Sequence, residues 1–415
     1  MRIDWKYFNN NEEVVKGIDL VRQINELGYD AYIVGGCVRD IVRWYTNKTG
    51  DPNIHDVDIC TNMPMDKLYK AFKCESNNGE EHGTILVFNK GEAFEVTQFR
   101  ADGDYSDGRH PDSVKWADTF EEDSKRRDFT INAMAIDADG NLIDYHGGAE
   151  DLANGILRTV GDPDERFGED ALRIIRAMRF AARFNMKLDQ GVYNSICKLH
   201  GTLNKVAMER ISAELKKTAE YGVKAFAQVM DIMVKTGAYH SFDPQKLLDW
   251  NSALIMAQNR AVSQKYIELN KDVMTSMICL LYNCKNLQHA CQYFRLENDL
   301  MKTAYYVFTN LPIYKTFGTD IVATVKMINN PNYCRLEEVA HALSYKEPNA
   351  KISQDMEYVS DIAIPLSKDL SKAVSEKGYS GPAFGKKLKE LTEWFYNQIL
   401  DTGEAPSYEE ILNNL

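Results

Sequence analysis

Residues 55–60 read His-Asp-Val-Asp-Ile-Cys, so that two carboxylates, Asp56 and Asp58, stand two positions apart in a short apolar stretch. Val57, Ile59 and Cys60 suit a strand, and residues two apart on a strand project from one face. Two like charges side by side destabilise each other unless a basic side chain or a divalent cation intervenes. Hard carboxylate oxygens are the donors that Mg²⁺ takes, and an aspartate pair on one face is what metal-assisted phosphoryl transfer requires. A solvated strand end uses the same residues, and Asp-x-Asp alone is a common pair. Glu95, in Phe-Glu-Val-Thr-Gln-Phe-Arg, supplies a third carboxylate if its strand lies beside the first; otherwise it is an exposed strand residue.

Two further clusters carry chemistry. Gly35-Gly36-Cys37-Val38-Arg39-Asp40 follows an apolar run and opens a helical pattern. Glycines let the backbone approach an anion, a helix N-terminus offers unpaired N–H groups, and Arg39 adds a charge-assisted bond to phosphate. Downstream, Asp170, Arg173, Arg176 and Arg179 recur every third residue, so that neighbours in the row are adjacent on a helix whose stripe turns slowly. Such an Asp–Arg pair is ordinarily a surface ion pair of little worth. The same pair also matches cytosine and adenine, which both present an amine donor beside a ring-nitrogen acceptor. Uracil and guanine reverse that pattern and leave buried groups unpaired, a large penalty.

The elements that must hold these residues divide the chain in two. Helical spacing of Val14, Ile18, Val21 and Ile24 predicts a helix over 14–27, followed by a strand at 32–34, a helix at 37–44, the Asp-x-Asp strand and a helix at 65–72. Residues 82–89 and 92–99 read as two strands joined through Lys90-Gly91, and 128–137 ends in a strand before a turn at 137–141. Beyond Asp151 long amphipathic patterns take over, at 169–184, 206–219, 223–235, 272–283 and 286–295, with a Gly-Pro turn and a last long helix after Ser380. The expected architecture is a small α/β head followed by an all-helical body, joined near 144–151.

The 415 residues allow roughly two to four domains of about 150 residues each. Hydrophobic residues make up 44% and no apolar run reaches the ~20 residues of a membrane span, so a soluble, core-bearing chain without a membrane partner is expected. The N-terminus lacks the apolar segment of a secretory signal. Eight cysteines stand singly with no CxxC, which suits reduced, mostly buried thiols and a cytoplasmic location. The net charge of −12 argues against a general nucleic-acid binder, whereas the local concentrations at 125–128 and at Arg173, Arg176, Arg179 and Arg183 favour a specific phosphate site.

In chain order YIVGGCVRD, HDVDI, RRDFTINA (126–133), DYHGGAEDL (144–152), EDALRIIRAMRFAARF (169–184) and ERISAEL (209–215) resemble the class II nucleotidyltransferases of the DNA polymerase β superfamily, the tRNA CCA-adding enzymes and bacterial poly(A) polymerases. The resemblance covers 31–215, and six motifs in order are far more specific than any one. It implies an α+β fold: a nucleotidyltransferase head with a mixed sheet (1–145), then an all-helical neck reading the base (146–220), body (221–375) and tRNA-binding tail (376–415). It implies Mg²⁺ at Asp56 and Asp58; Glu95 joins them as a candidate third catalytic carboxylate from the strand reading alone. It assigns nucleotide binding to Gly35, Gly36, Arg39, Arg127, Asp128 and Asn132, and base reading to Asp170 and Arg173 supported by Arg176 and Arg179.

The implied activity is addition of C, C and A to the tRNA 3′ end from CTP and ATP, with an A-adding enzyme, a poly(A) polymerase or a non-catalytic relative as alternatives. The stretch before Asp56 is longer than in the family and lacks both its Leu-Leu-Gly-Arg segment and the basic Gly-Arg-Arg-Phe element associated with bacterial poly(A) polymerases, which favours the tRNA enzymes. Residues 100–114 resemble the flexible loop of CCA- and A-adding enzymes, and no His-Asp dyad marks an appended hydrolase. Lys205, Arg210, Lys216, Lys217, Lys386, Lys387 and Lys389 are expected to form a basic stripe for tRNA.

Overall fold

The computed structural model describes residues 1–47, 54–76, 83–102, 114–262, 273–343 and 345–415. They form two compact units, one of residues 1–218 with 231–244, the other of 219–230 with 245–415.

The first unit is built on a mixed sheet of seven strands among the described residues: β1 (Ala31–Val34), β2 (Asp58–Thr61), β3 (Lys73–Ser76), β4 (Thr84–Asn89), β5 (Glu92–Gln98), β6 (Ala135–Ile136) and β7 (Leu142–Ile143). Their order is β3-β4-β5-β2-β1-β6-β7. β2 and β5 run parallel, with Ile59 opposite Val96, and the other neighbours are antiparallel. Lys90 (φ 50°) and Gly91 (φ 84°) close the β4–β5 hairpin, the two left-handed residues that a tight turn between twisted strands demands.

Helix α1 (Glu12–Glu26) is capped by the Asn11 side chain, which accepts from Val14 N, and it buries Val14, Ile18, Val21 and Ile24 as its periodicity predicts. Helix α2 (Gly36–Asn47) starts directly after β1. Val38, Ile41 and Val42 of α2 join α1 in a core with Ile33, Val57, Ile59, Phe94 and Val96.

One predicted helix divides. Residues 169–184 do not form a single helix: α3 (Pro163–Glu169) ends, Asp170 is extended (φ −143°, ψ 106°), and α4 (Leu172–Phe184) begins two residues later. The physical reason is local, because the Asp170 carboxylate accepts from Leu172 N (3.0 Å) and competes with continuation of the helix. The ladder of threes therefore starts at Arg173, and Asp170 stands just before the helix. Helix α5 (Met208–Glu220) follows in the neck region.

The second unit is helical among its described residues. Its core gathers Val322, Val325, Met356, Val359, Leu370, Phe395 and Ile399, and its longest helix, Gly381–Thr402, carries Pro382 in its first turn as the Gly-Pro signal predicts. None of the eight cysteines is in a disulfide; Cys37, Cys60, Cys279 and Cys291 are buried, while Cys197 and Cys334 are exposed. No helix among the described residues is long and apolar enough to cross a membrane. The loop at 48–53 and most of the 100–114 segment lie outside the described residues.

Candidate active site

Asp58 opens β2, opposite Val34 of β1, while Asp56 lies before the strand with a left-handed backbone (φ 57°). The two carboxylates are thus carried by a turn running into a strand and do not share one regular strand face. Gly35, at the β1–α2 turn, has φ 76°, and a Cβ there would lie 3.0 Å from Asp58 Oδ2; a glycine is what lets this turn close on the aspartate. Since Ile59 pairs with Val96, Asp58 and Glu95 fall on the same sheet face of neighbouring strands. Burial, reinforced by the charges of Glu95, Asp56 and Glu13 and opposed by Arg127, pushes the Asp58 carboxyl up to about 6.

Carboxylates crowded to this degree are short of positive charge, which is the electrostatic condition a divalent cation satisfies. No three His, Cys, Asp or Glu side chains among the described residues already converge as a closed metal cage. Oxygen-only donors next to a glycine turn fit a hard cation that keeps open positions for substrate.

The neighbouring cluster is the reverse, with its charges already paired. Arg39 is 3% exposed, and its guanidinium bonds Asp40 (Nε to Oδ1, 3.0 Å; Nη2 to Oδ2, 3.0 Å) and Asn132 Oδ1 (Nη1, 2.8 Å). Asn132 in turn donates to Asp128 Oδ1 (3.1 Å), and Asp128 Oδ2 receives Arg176 Nε (3.0 Å) and Nη2 (2.5 Å). Burial alone would raise the Asp128 carboxyl, but Arg176 and Asn132 hold it below the ordinary range. Arg127 forks onto Asp123 (Nε, 3.2 Å; Nη2, 3.0 Å), and Arg126 bonds the same fully buried carboxylate (Nε, 2.9 Å). Phe180 and Phe184 of α4 carry the guanidiniums of Arg179 (4.4 Å to the ring centre) and Arg39 (4.5 Å).

Both members of the proposed base-reading pair are steadied by partners the sequence did not assign to them. Arg173 is bonded to Glu169 and to the Arg166 carbonyl (3.1 Å). Asp170 Oδ2 receives Arg210 Nη2 (2.8 Å) from α5, so one arginine of the expected basic stripe is paired with Asp170. One turn further along α5, Glu214 takes Arg179 Nε at 2.5 Å in a buried pair, with each side chain 5% exposed. Arg210 and Glu214 thus answer Asp170 and Arg179 from one helix face. The i,i+4 Arg–Glu spacing within ERISAEL was the available signal. Asp123 likewise sits three and four residues before Arg126 and Arg127.

Every residue expected at the site lies in the first unit, and a run of hydrogen bonds, Arg39–Asn132–Asp128–Arg176, joins the β1–α2 turn to α4. Of the expected basic stripe, Lys205, Lys217, Lys386 and Lys389 are exposed, Lys216 is half-buried, and Lys387 lies 3.7 Å from Glu390.

The family described as the poly(A) polymerase head domain matches residues 31–158. The CCA-adding enzyme of Ligilactobacillus salivarius (strain UCC118) is 42% identical over 223 residues, covering 52% of this chain and 54% of that protein. The CCA-adding enzyme of Leuconostoc mesenteroides is 28% identical over 404 residues, 92% of this chain and 91% of that protein. The crystal structure of the Bacillus stearothermophilus CCA-adding enzyme in complex with CTP superposes with a TM-score of 0.67 at 25% identity, covering 96% of each chain. Against relatives such as the first, the chain spans about half of the relative's length, 54% in that case.

Proposed function

We propose that this chain is a class II nucleotidyltransferase of the kind that includes CCA-adding enzymes and poly(A) polymerases, and that it adds C, C and A to the 3′ end of tRNA from CTP and ATP, without a nucleic-acid template and in the cytoplasm. The observation that carries the reading is the juxtaposition just described: carboxylates short of positive charge at the central strand β2, beside the β1–α2 turn from which Arg39, Asn132, Asp128 and Arg176 run by hydrogen bonds to α4, with Asp170 just before that helix and Arg173 in its first turn. The division into head (1–145), neck (146–220), body (221–375) and tail (376–415) belongs to the same proposal.

The family depends on a divalent cation, and the ion proposed here is Mg²⁺, held by Asp56 and Asp58 with Glu95 beside them. When bound, it lowers the pKa of the terminal ribose hydroxyl and offsets triphosphate charge. The chain's own residues do the rest. Gly35 and Gly36 admit the triphosphate to the N-terminus of α2. Arg39, already bonded to Asn132 and Asp40, steadies the ribose-side residues from beneath. Arg127 and Asp128, each locked to a partner of opposite charge, hold the wall of the pocket, and Arg176 and Arg179 brace α4 behind it.

Asp170 accepts from the exocyclic amine while Arg173 donates to the ring nitrogen, a pattern common to cytosine and adenine that uracil and guanine invert. The ribose oxygen then attacks the α-phosphorus and pyrophosphate leaves, with catalysis by positioning and charge. Exposed lysines on the helices, Lys205, Lys217, Lys386 and Lys389 among them, provide phosphate contacts for tRNA.

Extension of defined tRNA ends with each nucleoside triphosphate separately tests the reading. Incorporation of CMP onto ends lacking CCA, then of AMP onto ends finishing in CC, is the expected result. AMP incorporation alone makes it an A-adding enzyme, long oligo(A) products a poly(A) polymerase, and no pyrophosphate release a non-catalytic relative.

A further inference from the structure

We propose that Glu13, which lies outside every motif of the site, is a positioning residue for the Asp56–Asp58 pair; the inference rests on the reading that these aspartates hold a divalent cation. Glu13 Oε1 accepts a hydrogen bond of 2.8 Å from Val57 N, the amide between the two aspartates. A glutamate in the first turn of a helix ordinarily serves its own helix end. Its neighbour Glu12 is exposed and pairs with Lys16 (3.0 Å) one turn on, whereas the Glu13 oxygen is given to a segment 44 residues away.

Two other contacts from the same helix fasten the same segment. Asn11, the N-cap of α1, donates its amide to Ile54 O (2.8 Å). Val57 is 3% exposed and packs on Gly17, where a Cβ would come within 2.8 Å of Val57 Cγ1 and 3.3 Å of the Phe94 ring. Helix α1 therefore holds residues 54–57 at three points.

The need for such a clamp is visible in the backbone. Asp56 is left-handed (φ 57°), a conformation that, among residues with a Cβ, Asp and Asn visit most readily and that contacts with the surroundings hold in place. A rotation at Val57 swings the Asp56 and Asp58 carboxylates apart. The amide bonded to Glu13 is the group that resists that rotation, so Glu13 sets the spacing of two carboxylates it does not join.

The test is Mn²⁺ binding to the full chain without nucleotide, followed by electron paramagnetic resonance, with tRNA extension measured in parallel. Glu13→Ala should weaken Mn²⁺ about fivefold, the change expected for one lost hydrogen bond. Glu13→Gln, whose amide oxygen still reaches Val57 N, should stay within about twofold of the wild type. Glu13→Asp keeps the charge but shortens the reach and should behave like the alanine variant. Wild-type affinity in Glu13→Ala overturns the role. Equal weakening in Glu13→Gln with recovery in Glu13→Asp also overturns it, by making the charge and not the hydrogen bond the operative feature. A wild-type chain that takes up no Mn²⁺ refutes the metal reading itself, which separates that failure from an error about Glu13 alone.

Discussion

The two halves of the candidate site solve opposite electrostatic problems. Around β2, Asp58 lies among the like charges of Glu95, Asp56 and Glu13 with Arg127 opposing them, and burial leaves it with a proton affinity well above that of an ordinary aspartate. Around α4, each described arginine of the ladder already has an acid: Arg173 has Glu169, Arg176 has Asp128 and Arg179 has Glu214. The difference teaches what each half is for. A region whose charge is internally balanced holds a shape before any ligand arrives, while one left unbalanced stores an affinity for a cation. On the proposed function, base reading and metal-dependent chemistry are kept on separate elements, and Asn132 joins Arg39 of the β1–α2 turn to Asp128 beside α4.

The largest effect should come from breaking the unbalanced half. Asp58→Ala should lower nucleotide addition by about a thousandfold or more, the worth of several kcal/mol of metal-assisted charge stabilisation. It should leave tRNA retention within a few-fold, and steady-state addition assays beside filter binding check both. The same variant should not lower thermal stability; a drop of many degrees would show that Asp58 is paired after all and would erase the contrast.

Next in size is Arg173→Ala, which should reduce discrimination of CTP over UTP by about a hundredfold through loss of the ring-nitrogen donor. Single-nucleotide incorporation with competing triphosphates measures it, and unchanged selectivity sinks the template role. Arg176→Ala tests the balanced half directly. It strands the Asp128 carboxylate, whose side chain is 11% exposed, so unfolding in urea should show a loss of roughly 2–3 kcal/mol, at the lower end for a broken pair because Arg176 itself is 32% exposed.

The smallest effect is a dependence on pH. The folded-state value of Asp58 is raised to about 6 from 3.8, so without metal the folded chain binds the proton more tightly than the unfolded one. That stabilisation is complete below about 4 and is lost as the pH rises through 6. Asp58→Asn should therefore raise the metal-free Tm by a few degrees at pH 7.5 and not at pH 4, as differential scanning fluorimetry would show. Because the cation competes with the proton, half-saturating metal should also climb steeply below pH 6.

Much of the frame was legible from local pattern. The α1 stripe, the Lys90-Gly91 hairpin and the long C-terminal helix after Gly381-Pro382 follow from periodicity and turn chemistry that act within a few residues. The break at Asp170 was missed because the apolar spacing of 169–184 runs through it uninterrupted; only the carboxylate bonded to Leu172 N stops the helix. Asp56 was placed on the strand for a similar reason, since alternation of side chains does not report a left-handed backbone.

What the sequence alone determined is which groups are present and in what order: the Asp-x-Asp pair, the glycine turn, the ladder of arginines and the helices and strands that bear them. What tertiary structure decided is which charge meets which. Arg176 and Asp128 are 48 positions apart, Arg210 and Asp170 40, and Glu13 and the Val57 amide 44. Spacing along the chain carries no record of such partnerships, because ion pairs and buried hydrogen bonds are chosen by distance in the packed core, where an unmatched charge is costly and an acid beside several bases takes the one the fold brings within reach.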